Sequence, residues 1–383
     1  MLFSHLRRLG LATIVGSSLL VSVPANALDY LSTVVATGLN NPRGLTFGPD
    51  GALYIAETGL SPIGGPYSFS SLGSITRVSG GTQTRIVTGL PTIYSAVTGE
   101  VTGPQDIAFD AGGTGYVVVG LGADPAVRPA GSSLGFVMTF TNDGATAKFA
   151  DVAAYEGANN PAGGPVDSNP YHLATGPNGL VVTDAGANAV YSLSSAGDLS
   201  LRSTFPGRFI GPPVPSSDSV STGVAVGPDG TIYVGELNGF PFTPEAAQIY
   251  SIAPGSTTPT VFATGLTNLT DLAFGADGNL YALSFDLDGI LGPNEGGGIF
   301  RVTSTGIESV YTSGLINPTG LAIGADGSFY VSTFSNGGEG LGQVLRIAAV
   351  PEPATWLMMI LGFGFAGAAI RRSPRRESAQ VLG

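Results

Sequence analysis

Gly44-Leu45-Thr46-Phe47, then Gly48-Pro49-Asp50-Gly51, then Leu53-Tyr54-Ile55-Ala56 read as a strand, a tight turn and a second strand. Asp-Gly between apolar runs is the strongest short-range hairpin signal. Glycine accepts positive φ there, and the acid can bond its own backbone. The unit recurs six times in the chain. Asp106-Ile107-Ala108-Phe109 precedes Tyr116-Val117-Val118-Val119, and His172-Leu173-Ala174-Thr175 precedes GPNG and Leu180-Val181-Val182-Thr183. The last three turns are GPDG at 227–230, GADG at 275–278 and GADG at 324–327. The turn residues Asp50, Asp110, Asn178, Asp229, Asp277 and Asp326 stand 60, 68, 51, 48 and 49 positions apart. Their recurrence at every hairpin assigns them to turn geometry.

A second strand pair follows within each unit. Ser74–Val78 leads to Thr84–Leu90, Gln248–Ile252 to Thr260–Leu266, and Ile299–Val302 to Ser309–Leu315. Four strands per unit and six units make an all-β fold, a six-bladed β-propeller. The sixth unit stops after Val344-Leu345-Arg346-Ile347 and lacks an outer strand. Ser32–Leu39, ending Ala36-Thr37-Gly38-Leu39, matches the missing piece, so the N-terminal strand is expected to close the ring and remove the exposed edge. The second residue after each first-strand start is small (Thr46, Ala108, Ala174, Ala225, Ala273, Ala322), as blades converging on an axis require.

The 383 residues include 59 Gly and 27 Pro without a three-residue period, which excludes collagen. A 43% hydrophobic content argues against a disordered chain. The net charge of −12 excludes a phosphate-backbone binder, so no nucleic acid is expected. The absence of Cys removes disulfides, thiolate metal sites and thiol nucleophiles. Only His5 and His172 are present, which excludes multi-histidine zinc chemistry.

Both ends carry addresses. Arg7 and Arg8, an apolar run from Leu9 to Val23 and Ala25-Asn26-Ala27 form the charged, apolar, small-residue order of a signal peptide. Residues 1–27 are read as that leader, with cleavage after Ala27. At the other end, residues 354–370 carry no charge and are followed by Arg371-Arg372-Ser373-Pro374-Arg375-Arg376. Such a span, slightly short of a ~30 Å hydrocarbon core, is read as a transmembrane helix with its arginines cytoplasmic. The propeller then occupies 28–350 and the sorting tail 351–383. Pro351-Glu352-Pro353, Trp356, the Gly-rich run 361–367 and the basic end with Arg371 and Arg372 resemble a PEP-CTERM sorting signal. The resemblance implies an exosortase as processing partner, membrane anchoring through the tail, and a final place at the periplasm, outer envelope or cell surface.

Nearly every insertion falls on one face of the propeller: residues 60–72, 91–104, 120–134, 155–170, 207–221, 236–247 and 285–297. Elaborated loops on a rigid scaffold are the usual place for binding. Two polar rings point to the same face. First-strand starts offer Asp106, His172 and Asp271 among glycines, and second-strand ends offer Glu57, Asp184 and Glu236. Carboxylates converging on a channel would suit Ca²⁺, a hard cation with oxygen ligands. His172 is open to roles as ligand, base or packing residue, and the carboxylates to roles as metal ligands or loop caps.

The loops carry a second resemblance. Asn40–Leu45, Gly120–Pro125, Asp151–Glu156, Asn159-Asn160-Pro161, Gly163–Tyr171, Asp184–Ala189 and Gly239–Phe242 are similar to the ScyD/ScyE family. The family resemblance implies an exported NHL/TolB-like six-bladed propeller linked to periplasmic stages of pigment synthesis, and implies no catalytic residues. Two functions follow as expectations. The first is a propeller binding a small molecule, polysaccharide or protein on its loop face. The second is a metal-dependent enzyme of the lactonase or dehydrogenase kind, with Glu57, Asn188 and Asp271 as contributors to the metal.

Overall fold

The computed structural model describes residues 29–209, 216–293 and 296–350. Within them, Tyr30–Ala349 form one compact unit of six antiparallel sheets, the blades of a propeller. Blade one runs from Pro42–Phe47 outward, blade two from Pro104–Phe109, blade three from Pro170–Gly176, blade four from Ser221–Val226, blade five from Leu269–Phe274 and blade six from Gly320–Ile323. Blade six takes its fourth strand, Asp29–Leu39, from the start of the chain, next to Gly342–Val350.

The hairpins form for the reasons the turn residues suggest. Asp50 Oδ1 accepts the Ala52 N–H at 3.1 Å, Gly51 sits at φ +73°, and the Tyr54 hydroxyl reaches Asp50 Oδ2 at 3.0 Å. Neighbouring blades are joined by aromatic pairs. Tyr54 packs edge-on against Phe109 with centroids 4.8 Å apart, Tyr233 against Phe274 at 5.5 Å, and Tyr330 against Phe47 at 5.0 Å. Each pair adds specificity to the buried area it contributes.

Three stretches differ from the sequence expectation. Residues 67–72 and most of 91–104 are not loop. Tyr67–Ser79 and Thr82–Ser95 pair as a long ribbon, and Glu100–Thr102 adds a fifth strand to blade one. The stretch 155–170 opens inside an eight-residue helix, Val152–Asn159, capped where Asp151 Oδ1 accepts the Ala154 N–H at 2.9 Å. Arg128 holds the same Asp151 through its two terminal guanidinium nitrogens, at 2.7 and 2.9 Å. The link between the second and third strands of blade three is a tight turn, Ala185–Asn188. Among the described residues no helix is long and apolar enough to cross a membrane; the span expected at 354–370 and the leader ending at Ala27 lie outside them.

Candidate functional site

The innermost strands set three consecutive layers of side chains along the axis. The middle layer is Gly44, Asp106, His172, Gly223, Asp271 and Gly320. Its three glycines are forced by proximity. A Cβ on Gly44 would lie 2.0 Å from Asp106 Oδ1, one on Gly223 2.8 Å from the Asp271 backbone, and one on Gly320 2.4 Å from the Arg43 carbonyl. The space they leave is filled by Asp106, His172 and Asp271, all buried.

His172 bridges the two acids. Its Nδ1 lies 3.2 Å from Asp106 Oδ2 and its Nε2 2.8 Å from Asp271 Oδ1, at ion-pair distance but without hydrogen-bond alignment. A carboxylate at each ring nitrogen selects the imidazolium, because a neutral ring would turn a lone pair towards one of them. Burial works against that charge, yet the two carboxylates outweigh it and hold the His172 pKa up at about 9. Burial pushes Asp106 up to about 7, with His172 pulling the other way. Each acid also staples the next blade: Asp106 Oδ2 accepts the Leu173 N–H at 2.8 Å and Asp271 Oδ2 the Leu321 N–H at 2.6 Å.

This layer divides the channel. Towards the Asx-Gly turns lies a chamber of about 330 Å³, walled by Thr46, Ala108, Ala174, Ala225, Ala273 and Ala322. The loop face opens into a smaller pocket of about 110 Å³. Its base is the layer one residue earlier: Arg43, Gln105, Tyr171, Thr222, Thr270 and Thr319. Asn169, Leu237, Phe285, Ile290, Asn336 and the exposed Glu100 surround it.

Of the six site residues expected from sequence, only Asp106, His172 and Asp271 meet. Glu57 is fully buried and committed within blade one. It accepts from the Asn40 N–H at 2.7 Å, from Arg85 Nε at 3.0 Å and Nη2 at 2.8 Å, and from the Thr76 hydroxyl. Asp184 accepts from Ser168 Oγ and the Asn169 N–H, both at 2.6 Å, and from the Ala187 N–H at 3.1 Å. Burial nevertheless raises its pKa to about 6. Glu236 is bound by Ser219 at 2.7 Å, by the Gln248 N–H at 3.1 Å and by Arg208. These three carboxylates cap the links into their own blades and do not form a second axial ring. Asn188 is likewise engaged, accepting the Val220 N–H at 2.7 Å through Oδ1. Sequence reasoning missed the base of the mouth pocket. Its signal was the position before each Gly, Asp or His of the axial ring, which is polar in every blade.

The residues present do not fit Ca²⁺ on the axis. The place between the two carboxylates is taken by the imidazolium, and each acid gives an oxygen to a backbone N–H. Among the described residues no group of three or more His, Asp or Glu side chains is arranged to hold a metal.

Comparison with known proteins defines the class first. A gluconolactonase from Xanthomonas campestris superposes with a TM-score of 0.52 at 13% identity, covering 84% of this chain and 91% of that one. A candidate gluconolactonase from structural genomics gives 0.50 at 13% identity, covering 85% and 93%. A calcium-binding regucalcin from Agrobacterium tumefaciens gives 0.49 at 15% identity, covering 85% and 97%. At these identities the likeness to the first two supports the six-bladed propeller fold alone. No curated protein matches the chain. Residues 349–376 match the PEP-CTERM protein-sorting motif. The motif marks the chain as an exported, envelope-associated protein whose sorting is exosortase-mediated.

Proposed function

We propose that this exported propeller is a binding protein that captures a small ligand at the loop-side mouth of its channel. One observation carries the reading. The mouth is a pocket on the face that bears the inserted connections, and two side-chain amides of its lining residues have unpartnered oxygens. Gln105 Oε1 and Asn169 Oδ1 are buried without a hydrogen-bond partner among the described residues, which is costly unless something supplies one. A concave site with a few convergent polar groups and an apolar wall is the usual form of a small-molecule site. The resemblance of the loops to the ScyD/ScyE family supports an envelope role of this kind. The lactonase-like alternative draws no support from its metal residues, since Glu57 and Asn188 are occupied elsewhere.

The test fills the pocket without disturbing the axis. Asn336 is exposed at the rim, so Asn336→Trp should cover the mouth and leave folding intact. The full chain is incubated with envelope extract, desalted and examined by native mass spectrometry. A small-molecule adduct on the wild type that is missing from Asn336→Trp is the expected result. An adduct retained equally by both overturns the mouth as the site.

A further inference from the structure

Resting on that reading of the mouth, we infer that the pocket recognises a small organic monocarboxylate, with Arg43 as the group that takes its charged end. Arg43 is only 7% exposed, yet its guanidinium is held by neutral groups alone. Nε donates to Thr58 Oγ1 at 3.3 Å and Nη2 to the Val101 carbonyl at 3.2 Å, both long. Nη1 has no acceptor among the described residues, and none of their carboxylates forms an ion pair with Arg43. Six of the other seven described arginines pair with acids, as in Arg85–Glu57 and Arg208–Glu236. Arg202 also lacks an acid but stands on the outermost strand of blade three, whereas Arg43 is the arginine that lines the mouth.

The chemistry of the partner follows from the surroundings. A guanidinium presents a planar fork that matches a carboxylate, and charge-assisted pairs of this kind are the stronger hydrogen bonds. The side-chain amides of Gln105 and Asn169 and the hydroxyl of Tyr171 line the same pocket and can add neutral hydrogen bonds. Opposite them, Leu237, Phe285 and Ile290 offer an apolar wall for a hydrocarbon or aryl body. An apolar cavity of ~150 Å³ accommodates a benzene ring. About 110 Å³ therefore holds the carboxyl end and part of the body, with the remainder facing the open rim.

Charge favours a ligand with one negative unit. The His172 imidazolium serves Asp106 and Asp271 one layer deeper, and Arg43, paired with neither, is the one cation at the mouth. A monoanion meets that single guanidinium. A phosphate-like dianion would add two charges above the buried acids, and Glu100 at the rim would oppose it further.

The probes are benzoate and its neutral isostere benzamide, titrated into the full chain and followed by NMR shifts of mouth residues. Wild type should bind benzoate about tenfold more tightly than benzamide, the scale of one charge-assisted contact. Glu100→Gln should tighten benzoate severalfold and leave benzamide unchanged. Arg43→Gln should reduce benzoate to the benzamide level; its fold is checked by circular dichroism. Equal binding of the two probes in wild type and in Glu100→Gln overturns the carboxylate assignment while leaving the mouth as a binding site. No perturbation of mouth residues by either probe also overturns the assignment. The broader reading falls with it only if Asn336→Trp leaves ligand capture unchanged.

Discussion

His172 Nε2 lies 2.8 Å from Asp271 Oδ1 across the channel axis, from the innermost strand of blade three to that of blade five, past the bare backbone of Gly223. With Asp106 on the other side of the ring, one side chain joins three of the six blades at the point where they converge. The propeller carries its own cation there. Replacing His172 by Gln keeps much of the volume and removes the charge, which leaves two buried acids without compensation. Loss of one partner from a buried ion pair costs about 3–5 kcal/mol. Denaturant unfolding should show a loss of that order; a change below about 1 kcal/mol would refute the bridging role.

The same arrangement makes a statement about calcium. Because the imidazolium fills the space between the acids, wild type should melt at the same temperature with millimolar Ca²⁺ and with chelator. A ligand bound only to the folded state raises the melting point by mass action. A calcium-dependent rise of several degrees in wild type would show that the axial carboxylates do take a metal.

Stability should fall as the solution becomes alkaline. The folded pKa of His172, about 9, exceeds its ordinary 6.5, so its contribution is complete below about 6.5 and is lost as pH rises through about 9. Asp106, raised by burial from 3.8 to about 7, acts with the same sign: its contribution is present below 3.8 and lost as pH rises through about 7. Melting temperature should therefore decline between pH 5 and 10, with an upper phase near pH 9 that is absent from His172→Gln. A flat profile through that range contradicts the assignment.

Glu57 should behave as a structural residue. Glu57→Gln keeps the shape but weakens the pair with Arg85 and the cap on the Asn40 N–H. Arg85 is 39% exposed and can recover water, so the loss should be smaller than for a sealed pair, about 2–3 kcal/mol. Ligand capture by the folded fraction should be unchanged. Capture lost without loss of stability would return Glu57 to the binding site.

Gly223→Ala tests the close approach of blades four and five. Its methyl would stand 2.8 Å from Asp271 backbone atoms, which cannot rotate away as a side chain can. Overpacking of this kind costs about 1–3 kcal/mol. Gly64→Ala, with nothing nearer than a serine hydroxyl at 3.6 Å, is the control and should be neutral. Equal melting temperatures for the two variants would count against a tightly packed axis.

The repeat period, the Asx-Gly hairpins and the closing strand were legible in the sequence because each depends on local turn chemistry or on what one unit lacks. So was the axial position of Asp106, His172 and Asp271, since it is fixed by register from the strand start. Glu57, Asp184 and Glu236 were misplaced for a physical reason. Their positions at strand ends are visible in the sequence, but which face of the blade a terminal side chain takes depends on the link it caps. Asn40, Asn169 and Ser219 supply those caps, and nothing in their spacing says so. Arg43 was passed over because an arginine beside a proline reads as a loop cation until its missing acidic partner is seen. The long hairpin of blade one was read as loop because its Ser- and Gly-containing arm lacks a clean apolar alternation.

The closing strand also bears on when the protein can finish folding. Asp29–Leu39 is made before every other strand of the propeller, and Gly342–Val350, the strand beside it, is made last. A chain crossing a membrane from its N-terminus would carry its own closing strand, unpaired, until the final blade had followed. The ring then shuts in one late event, when Gly342–Val350 pairs with the waiting strand. For a chain exported from its N-terminus, topology would keep translocation and folding in sequence: the propeller cannot close on the side of synthesis while its first strand lies on the other.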